Sequence, residues 1–305
     1  MTALLPSAEP VAVTVGVDLG GTGTRIAALG HDGVVLRHIT TPTATGIPPA
    51  QAIADLARAI TMATAGFELQ GIGIGATGPV DAHGVIRNPE TLPAFSNVEI
   101  TAILSERLGV PCVIDNDAVT AAIGEHAYGA GRDSSGLLVV TLGTGVGVAA
   151  LIRGRPVRGA DGGHPEAGHI AVSGPPTPCY CGLPTCWEQL ASRTALHRLA
   201  GGEIDELAGK ARGGDAAASR VFDTYGERVG VGLATLLTIF RPDRVILGGS
   251  AAQYADLFEN GLHRSLGRAA GYTCTPALAT AELGNLAGAV GAAVMGRVSS
   301  QRQHR

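Results

Sequence analysis

The sequence predicts an α/β fold of two lobes around a central cleft, on three observations. At 305 residues the chain exceeds the size at which a single hydrophobic core stops growing, so two packed lobes are expected. A β-branched strand that runs into a glycine turn and returns as a second strand occurs at 11–29 and again at 137–151, which suggests two related lobes. Segments of helical spacing alternate with short apolar runs, and 45% hydrophobic against 16% charged residues suits a compact core.

In chain order, 11–17 is a β-branched run ending at Asp18 and a glycine turn, and 25–29 is its hairpin partner. A hairpin here differs from dinucleotide and P-loop folds, which place a helix directly after the glycines. The spacing predicts a helix over 50–65, short buried strands over 71–74 and 110–114, and a helix from 118 to about 128 entered through Asp115, Asn116 and Asp117. After the second hairpin, residues 159–186 are rich in glycine, proline, histidine and cysteine and lack periodicity, so they read as a long irregular insertion. Helical patterns resume over 187–200 and 216–240. A strand over 244–247 ends in Gly248, Gly249 and Ser250, a small-residue helix runs from 286 to about 298, and 299–305 reads as a frayed tail.

Several function classes are excluded by composition. The net charge of -4 and the absence of any arginine run disfavour a nucleic-acid partner, which would call for a basic face. Residues 2–17 carry Pro6, Glu9 and Pro10, and the first basic residue is Arg25, so no leader is expected and the location is expected to be cytoplasmic. The uncharged stretch 134–152 is long enough to span a bilayer, but Gly136, Thr141, Gly143, Thr144, Gly145 and Gly147 make it strand, turn and strand; no membrane partner is expected. Five cysteines, three of them within 179–186, point to metal binding in a reducing compartment rather than to disulfides. Lys210 is the single lysine and no GxxxxGK[ST] run exists, which excludes a Walker-type NTPase.

Four segments carry candidate chemistry. Asp18, Leu19, Gly20, Gly21, Thr22, Gly23 and Thr24 form a turn whose glycines let backbone N–H groups approach an anion while the carboxylate holds its counter-cation. Taken singly this is as well explained as an ordinary hairpin turn. The second copy, Thr141 to Gly147 with Gly143, Thr144 and Gly145 at its tip, favours a pair of phosphate clamps. Asp115-Asn116-Asp117, between an apolar strand and a helix, reads either as a helix cap or as a site where Asp117 is a general base for a hydroxyl. His169, Cys179, Cys181 and Cys186 supply one imidazole and three thiolates, the closed tetrahedral set of a structural Zn2+. Cross-linking a loop with no core of its own contributes on the order of 10 kcal/mol toward ordering it. Cys112 and Cys274 read as ordinary core residues.

Together these segments resemble the ROK family (repressor, open reading frame, kinase), a branch of the sugar kinases that share the actin-like ATPase (ribonuclease H-like) fold, over about 13–298. The resemblance implies that 18–24 and 143–145 are two phosphate loops for ATP with Mg2+, and that Gly248 and Gly249 lie near the adenosine. It implies that Asp117 is the catalytic base, that Asn116 beside it binds the sugar, and that Glu166, His169 and Glu188 are further sugar contacts, with Gly78 and Asn88 as small-lobe candidates. Gly23 stands where many members carry lysine, with Arg25 close by, and Val119, Pro165 and Thr185 also depart from the usual pattern. The lobes are expected to divide as 1–117 with 287–305, and 118–286 with a zinc loop at about 159–190.

The expected activity is transfer of the ATP γ-phosphoryl group to a hexose, glucose to glucose 6-phosphate first. N-acetylglucosamine, N-acetylmannosamine, fructose and mannose are alternative acceptors and polyphosphate an alternative donor. The non-enzyme alternative is a sugar-responsive regulator of the same family. Repressors of the family add an N-terminal helix-turn-helix domain, for which no room is expected ahead of Asp18. The resemblance also implies a homodimer or higher homo-oligomer.

Overall fold

The computed structural model of the chain describes residues 10–269 and 275–303. They fall into two compact units, Met1–Gly124 with Gly288–Arg305, and Glu125–Ala287.

The first unit opens with the hairpin β1 (Ala12–Leu19) and β2 (Gly23–Leu29), extended by β3 (Val35–Pro42). The chain then forms α1 (Pro49–Ala63), β4 (Glu68–Ala76), α2 (Ile100–Leu108) and β5 (Cys112–Asn116), and enters α3 (Asp117–Tyr128). The sheet order is β3-β2-β1-β4-β5, antiparallel from β3 to β1 and parallel from β1 to β5. Central β1 is covered on both faces: Val13, Val15, Val17 and Leu19 pack into the core from one, and Thr14 and Gly16 are buried on the other. Edge strand β3 alternates half-buried and exposed residues, and its polar sequence hid it from the reading above. The Pro48-Pro49 entry starts α1, whose Ile53, Leu56 and Ile60 fall on one buried stripe.

The second unit repeats that winding. Its hairpin is β6 (Gly136–Leu142) and β7 (Val146–Ile152), followed by the two-residue β8 (Arg155–Pro156). After the 159–186 insertion come α4 (Trp187–Ala191), α5 (Arg193–Ala200), α6 (Ile204–Arg212), α7 (Ala216–Phe240), β9 (Arg244–Gly248), α8 (Ala255–Arg268) and β10 (Ala277–Thr280). The order is β10-β9-β6-β7-β8, with β6 to β8 antiparallel and β6, β9 and β10 parallel. Counted outward from β1 and from β6, the two sheets have the same order and the same directions. The duplicated hairpin was therefore the visible part of a duplicated sheet.

Finally α9 (Ala287–Gln303) returns to the first unit and lies on its sheet. A Cβ on Gly16 would run into the Ala289 carbonyl, and one on Gly73 into the Ala292 carbonyl, so helix and strands meet backbone to backbone.

Three expectations are corrected. The helical pattern over 187–200 is two helices, because Ser192 is extended and its hydroxyl accepts the Ala195 N–H at 3.2 Å as an N-cap. Residues 299–303 are not frayed but continue α9, where Ser300 is buried. Cys112 is only partly buried, packed against the first unit's core, with burial pushing its thiol up to about 12; Cys274 lies outside the described residues. The 134–152 stretch is β6 and β7, and among the described residues no helix is long and apolar enough to cross a membrane.

Candidate active site

In the first unit Asp18 is the next-to-last residue of β1, just before the chain turns. Its carboxylate is 16% exposed and pairs with Arg25 Nη1 at 3.2 Å. Burial raises its pKa, and the Arg25 charge opposes that rise. The turn closes with Gly20 N–H donating to Gly23 O at 3.2 Å. It is held from outside by Thr43, whose hydroxyl donates to Gly20 O at 2.5 Å and lies 3.0 Å from the Thr24 hydroxyl. Gly21 is needed because a Cβ there would come within 2.5 Å of the Thr91 methyl. Gly20, Gly21, Thr22, Gly23 and Thr24 thus form one braced turn.

Asp117 is the first residue of α3, where the helix dipole favours a negative charge. The Thr77 hydroxyl donates to its Oδ2 at 2.8 Å, and the Ala118 N–H to its Oδ1 at 2.8 Å. Asn116, 4% exposed, caps the helix by accepting from Ala118 N–H at 2.8 Å and donates to Gly78 O at 3.1 Å. Asn88 donates to Thr77 O at 3.0 Å, and Gly78 (φ +91°) fits against it because a Cβ would overlap the Asn88 amide. Asn116 and Asp117 both accept the Ala118 N–H, so the capping expected of this segment is present. Thr77 N–H donates to Leu19 O at 3.1 Å, which joins the Asp117 group to the end of β1. Sequence reasoning missed Thr77 and Thr43, since a lone threonine carries no pattern.

The second unit carries the other half of the candidate residues. Gly143 N–H donates to Gly145 O at 3.0 Å, closing the turn that includes Thr144. Glu188, 9% exposed, accepts the Val146 N–H at 3.2 Å, and a Cβ on Gly145 would strike its carboxylate. Gly248 ends β9, and Gly249 (φ +77°) packs so closely on β6 that a Cβ would lie 2.6 Å from Leu142 N. His169 and Glu188 come together, with Nε2 and Oε2 3.8 Å apart. Glu166 is half exposed, with His164 Nε2 3.5 Å from its carboxylate. Gly168 lets this segment lie on β7, where a Cβ would overlap the Val146 carbonyl.

His169 Nδ1 lies 3.6 Å from Cys179 Sγ and 3.4 Å from Cys186 Sγ. One donor atom from each of His169, Cys179, Cys181 and Cys186 lies within 4.8 Å of all the others. Donors bound tetrahedrally at about 2.0–2.3 Å stand roughly 3.3–3.8 Å apart, so the group fits a tetrahedral soft-ligand metal. Burial pushes the Cys186 thiol up to about 12, whereas the Leu183 N–H holds Cys181 below the usual thiol value. The other imidazole nitrogen faces Glu188 and lies 2.8 Å from the Tyr180 hydroxyl, a partner that sequence reasoning missed. The cluster is anchored by Trp187, fully buried against Gly232 and donating to Arg228 O at 3.0 Å.

Two like-wound mixed sheets, each with a glycine hairpin, place the chain in the actin-like α/β class. The ROK hexokinase of Thermus thermophilus superposes with a TM-score of 0.81 at 33% identity, covering 95% of this chain and 99% of that one. A ROK family glucokinase from Streptomyces griseus, solved with glucose and AMPPNP, superposes with a TM-score of 0.79 at 29% identity over 94% of this chain and 99% of that one. In sequence the chain is 32% identical over 316 residues to the glucokinase of Streptomyces coelicolor, covering 93% of this chain and 98% of the relative. The ROK family profile matches residues 14–298, and the chain belongs to the ROK family.

Proposed function

We propose that this chain, a sugar kinase by its family and relatives, transfers the γ-phosphoryl group of ATP to a hexose hydroxyl, with glucose as the first acceptor to test. The observation that carries the reading is Asp117: a carboxylate at a helix start, aimed by the Thr77 hydroxyl and the Ala118 N–H. Phosphoryl transfer through a loose transition state asks the protein mainly to position and to neutralise charge. Asp117 takes the acceptor hydroxyl proton as the phosphoryl group arrives, while Asn116, Asn88 and the Gly78 backbone shape the acceptor side. The 18–24 and 143–145 turns present N–H groups to phosphate oxygens, Gly248 and Gly249 leave room for the adenosine, and Asp18 holds Mg2+ directly or through water. When bound, Mg2+ supplies charge neutralisation on the phosphates.

Glu188, Glu166 and His169 complete the acceptor contacts. His169 Nδ1 with Cys179, Cys181 and Cys186 would hold Zn2+ in a structural site, leaving Nε2 toward Glu188.

An ATP-consumption assay across glucose, mannose, fructose, N-acetylglucosamine and N-acetylmannosamine tests the activity, with polyphosphate as a second donor. Asp117→Asn keeps nucleotide binding and lowers turnover by about 10²–10⁴. Near-normal turnover in that variant removes Asp117 from the chemistry.

A further inference from the structure

Residues 179–182 form a tight turn inside the 159–186 insertion. Gly182 N–H donates to Cys179 O at 3.0 Å, and Gly182 itself takes φ +90°. Tyr180 is the first of the two residues at the tip, between two of the candidate metal ligands, and it is 80% exposed. Core packing therefore does not hold its side chain. The ring meets the His169 imidazole edge-on, with centroids 5.0 Å apart and planes at 75°, and the hydroxyl lies 2.8 Å from Nε2.

The His169 side chain is only 14% exposed, and its two nitrogens face different company. Nδ1 lies 3.6 Å from Cys179 Sγ and 3.4 Å from Cys186 Sγ. Glu188 Oε2, at 3.8 Å from Nε2, is beyond hydrogen-bond distance. The Tyr180 hydroxyl is the group that does reach Nε2. An imidazole that gives Nδ1 to a metal carries its proton on Nε2 and can only donate there. It has a single proton to give. The phenol oxygen takes that proton in the way that a sugar hydroxyl at the same position would.

We propose that Tyr180 is a specificity-determining residue of the acceptor site: its hydroxyl holds the place of an acceptor hydroxyl at His169 Nε2, and a hexose displaces it on binding. The proposal rests on reading His169 and Glu188 as acceptor contacts. Displacement is a rotation of an exposed side chain about its own bonds, so the turn backbone need not move. What the ligand must replace is the hydrogen bond at Nε2. Only an acceptor with a hydroxyl at that position recovers it, and one without leaves a buried donor unpaired.

Isothermal titration calorimetry with glucose, steady-state kinetics and zinc analysis test this on the full chain. Tyr180→Phe keeps the ring and removes the competing oxygen. Its glucose Kd and KM fall about two- to tenfold, the range of one exchanged hydrogen bond, while kcat and the ATP KM stay within about twofold and the zinc content is unchanged. Damage to a merely structural tyrosine does not produce tighter binding.

A glucose Kd equal to that of the unaltered protein overturns the proposal. So does a weaker one, which makes the hydroxyl a direct sugar contact, and so does loss of zinc, which makes Tyr180 a brace for the metal site. Glu188→Gln separates these failures from failure of the underlying reading. Weaker glucose binding in Glu188→Gln beside an unchanged Tyr180→Phe removes the Tyr180 proposal and leaves the acceptor contacts standing. Unchanged binding in both variants, or an unaltered protein that binds no hexose, defeats the acceptor reading and the proposal with it.

Discussion

Asp18 shows what a buried carboxylate costs and why it is kept. Burial raises its pKa above the ordinary 3.8, and Arg25, itself 36% exposed, offsets only part of that. Because the folded state holds its proton more tightly than the unfolded chain, stability falls as pH rises from the unfolded value through the folded one. Asp18→Asn removes that penalty at neutral pH. Its melting temperature is expected to match or exceed that of the unaltered protein at pH 7, with the difference vanishing below about pH 4, while turnover drops on the proposal that Asp18 holds Mg2+. Thermal melts across pH alongside the kinase assay check both halves, and a lower melting temperature at pH 7 contradicts the assignment. At this scale the aspartates, the histidine and the cysteines were legible by residue type and spacing. Thr77 and Thr43 were not, because a hydroxyl gains its meaning only from the atom it reaches, here Asp117 Oδ2 and Gly20 O.

Among the elements, the 159–186 insertion depends most on something beyond its own contacts. It holds a three-residue 3₁₀ turn, Ala167–His169, and two isolated bridges, Ala171 with Cys186 and Thr177 with Thr185. Its fixed points are the His169, Cys179, Cys181 and Cys186 group and the buried Trp187 behind it. Purified protein is expected to carry about one equivalent of zinc, as a closed four-ligand site predicts. Cys186→Ser is expected to lower the zinc content, the melting temperature and the sugar affinity together, because His169 loses its anchor. Metal analysis with thermal melts checks this, and fully active protein free of zinc would refute it. The hairpins, α1, α3 and α7 were readable from pattern. Strand β3 and helices α2, α6 and α8 were not picked out, since β3 is polar at an edge and α2, α6 and α8 are short or carry mixed faces whose apolar positions only packing reveals.

Across the whole molecule, one sheet plan is used twice, and each copy supplies its own core and its own glycine turn. In the first unit that plan relies on α9 pressing on β1 and β4 through Gly16 and Gly73. Gly73→Ala drives a methyl group into the Ala292 carbonyl, a backbone atom with little freedom to move. The expected loss is about 1–3 kcal/mol of stability, read by denaturant titration; an unchanged midpoint would show that the helix can shift.

What the amino-acid sequence determined by itself was the α/β class, the repeated hairpin, the Cys₃His set and the carboxylate at the start of α3. Each of these is written in residue type and short-range spacing, where glycine, cysteine and helix-capping residues have few alternative meanings. The tertiary structure alone decided that α9 completes the first unit, that Thr77 aims Asp117, and that Glu188 ties the second turn to His169. Those pairings join residues dozens to hundreds of positions apart, and only the packing of sheets and helices sets which distant side chains become neighbours.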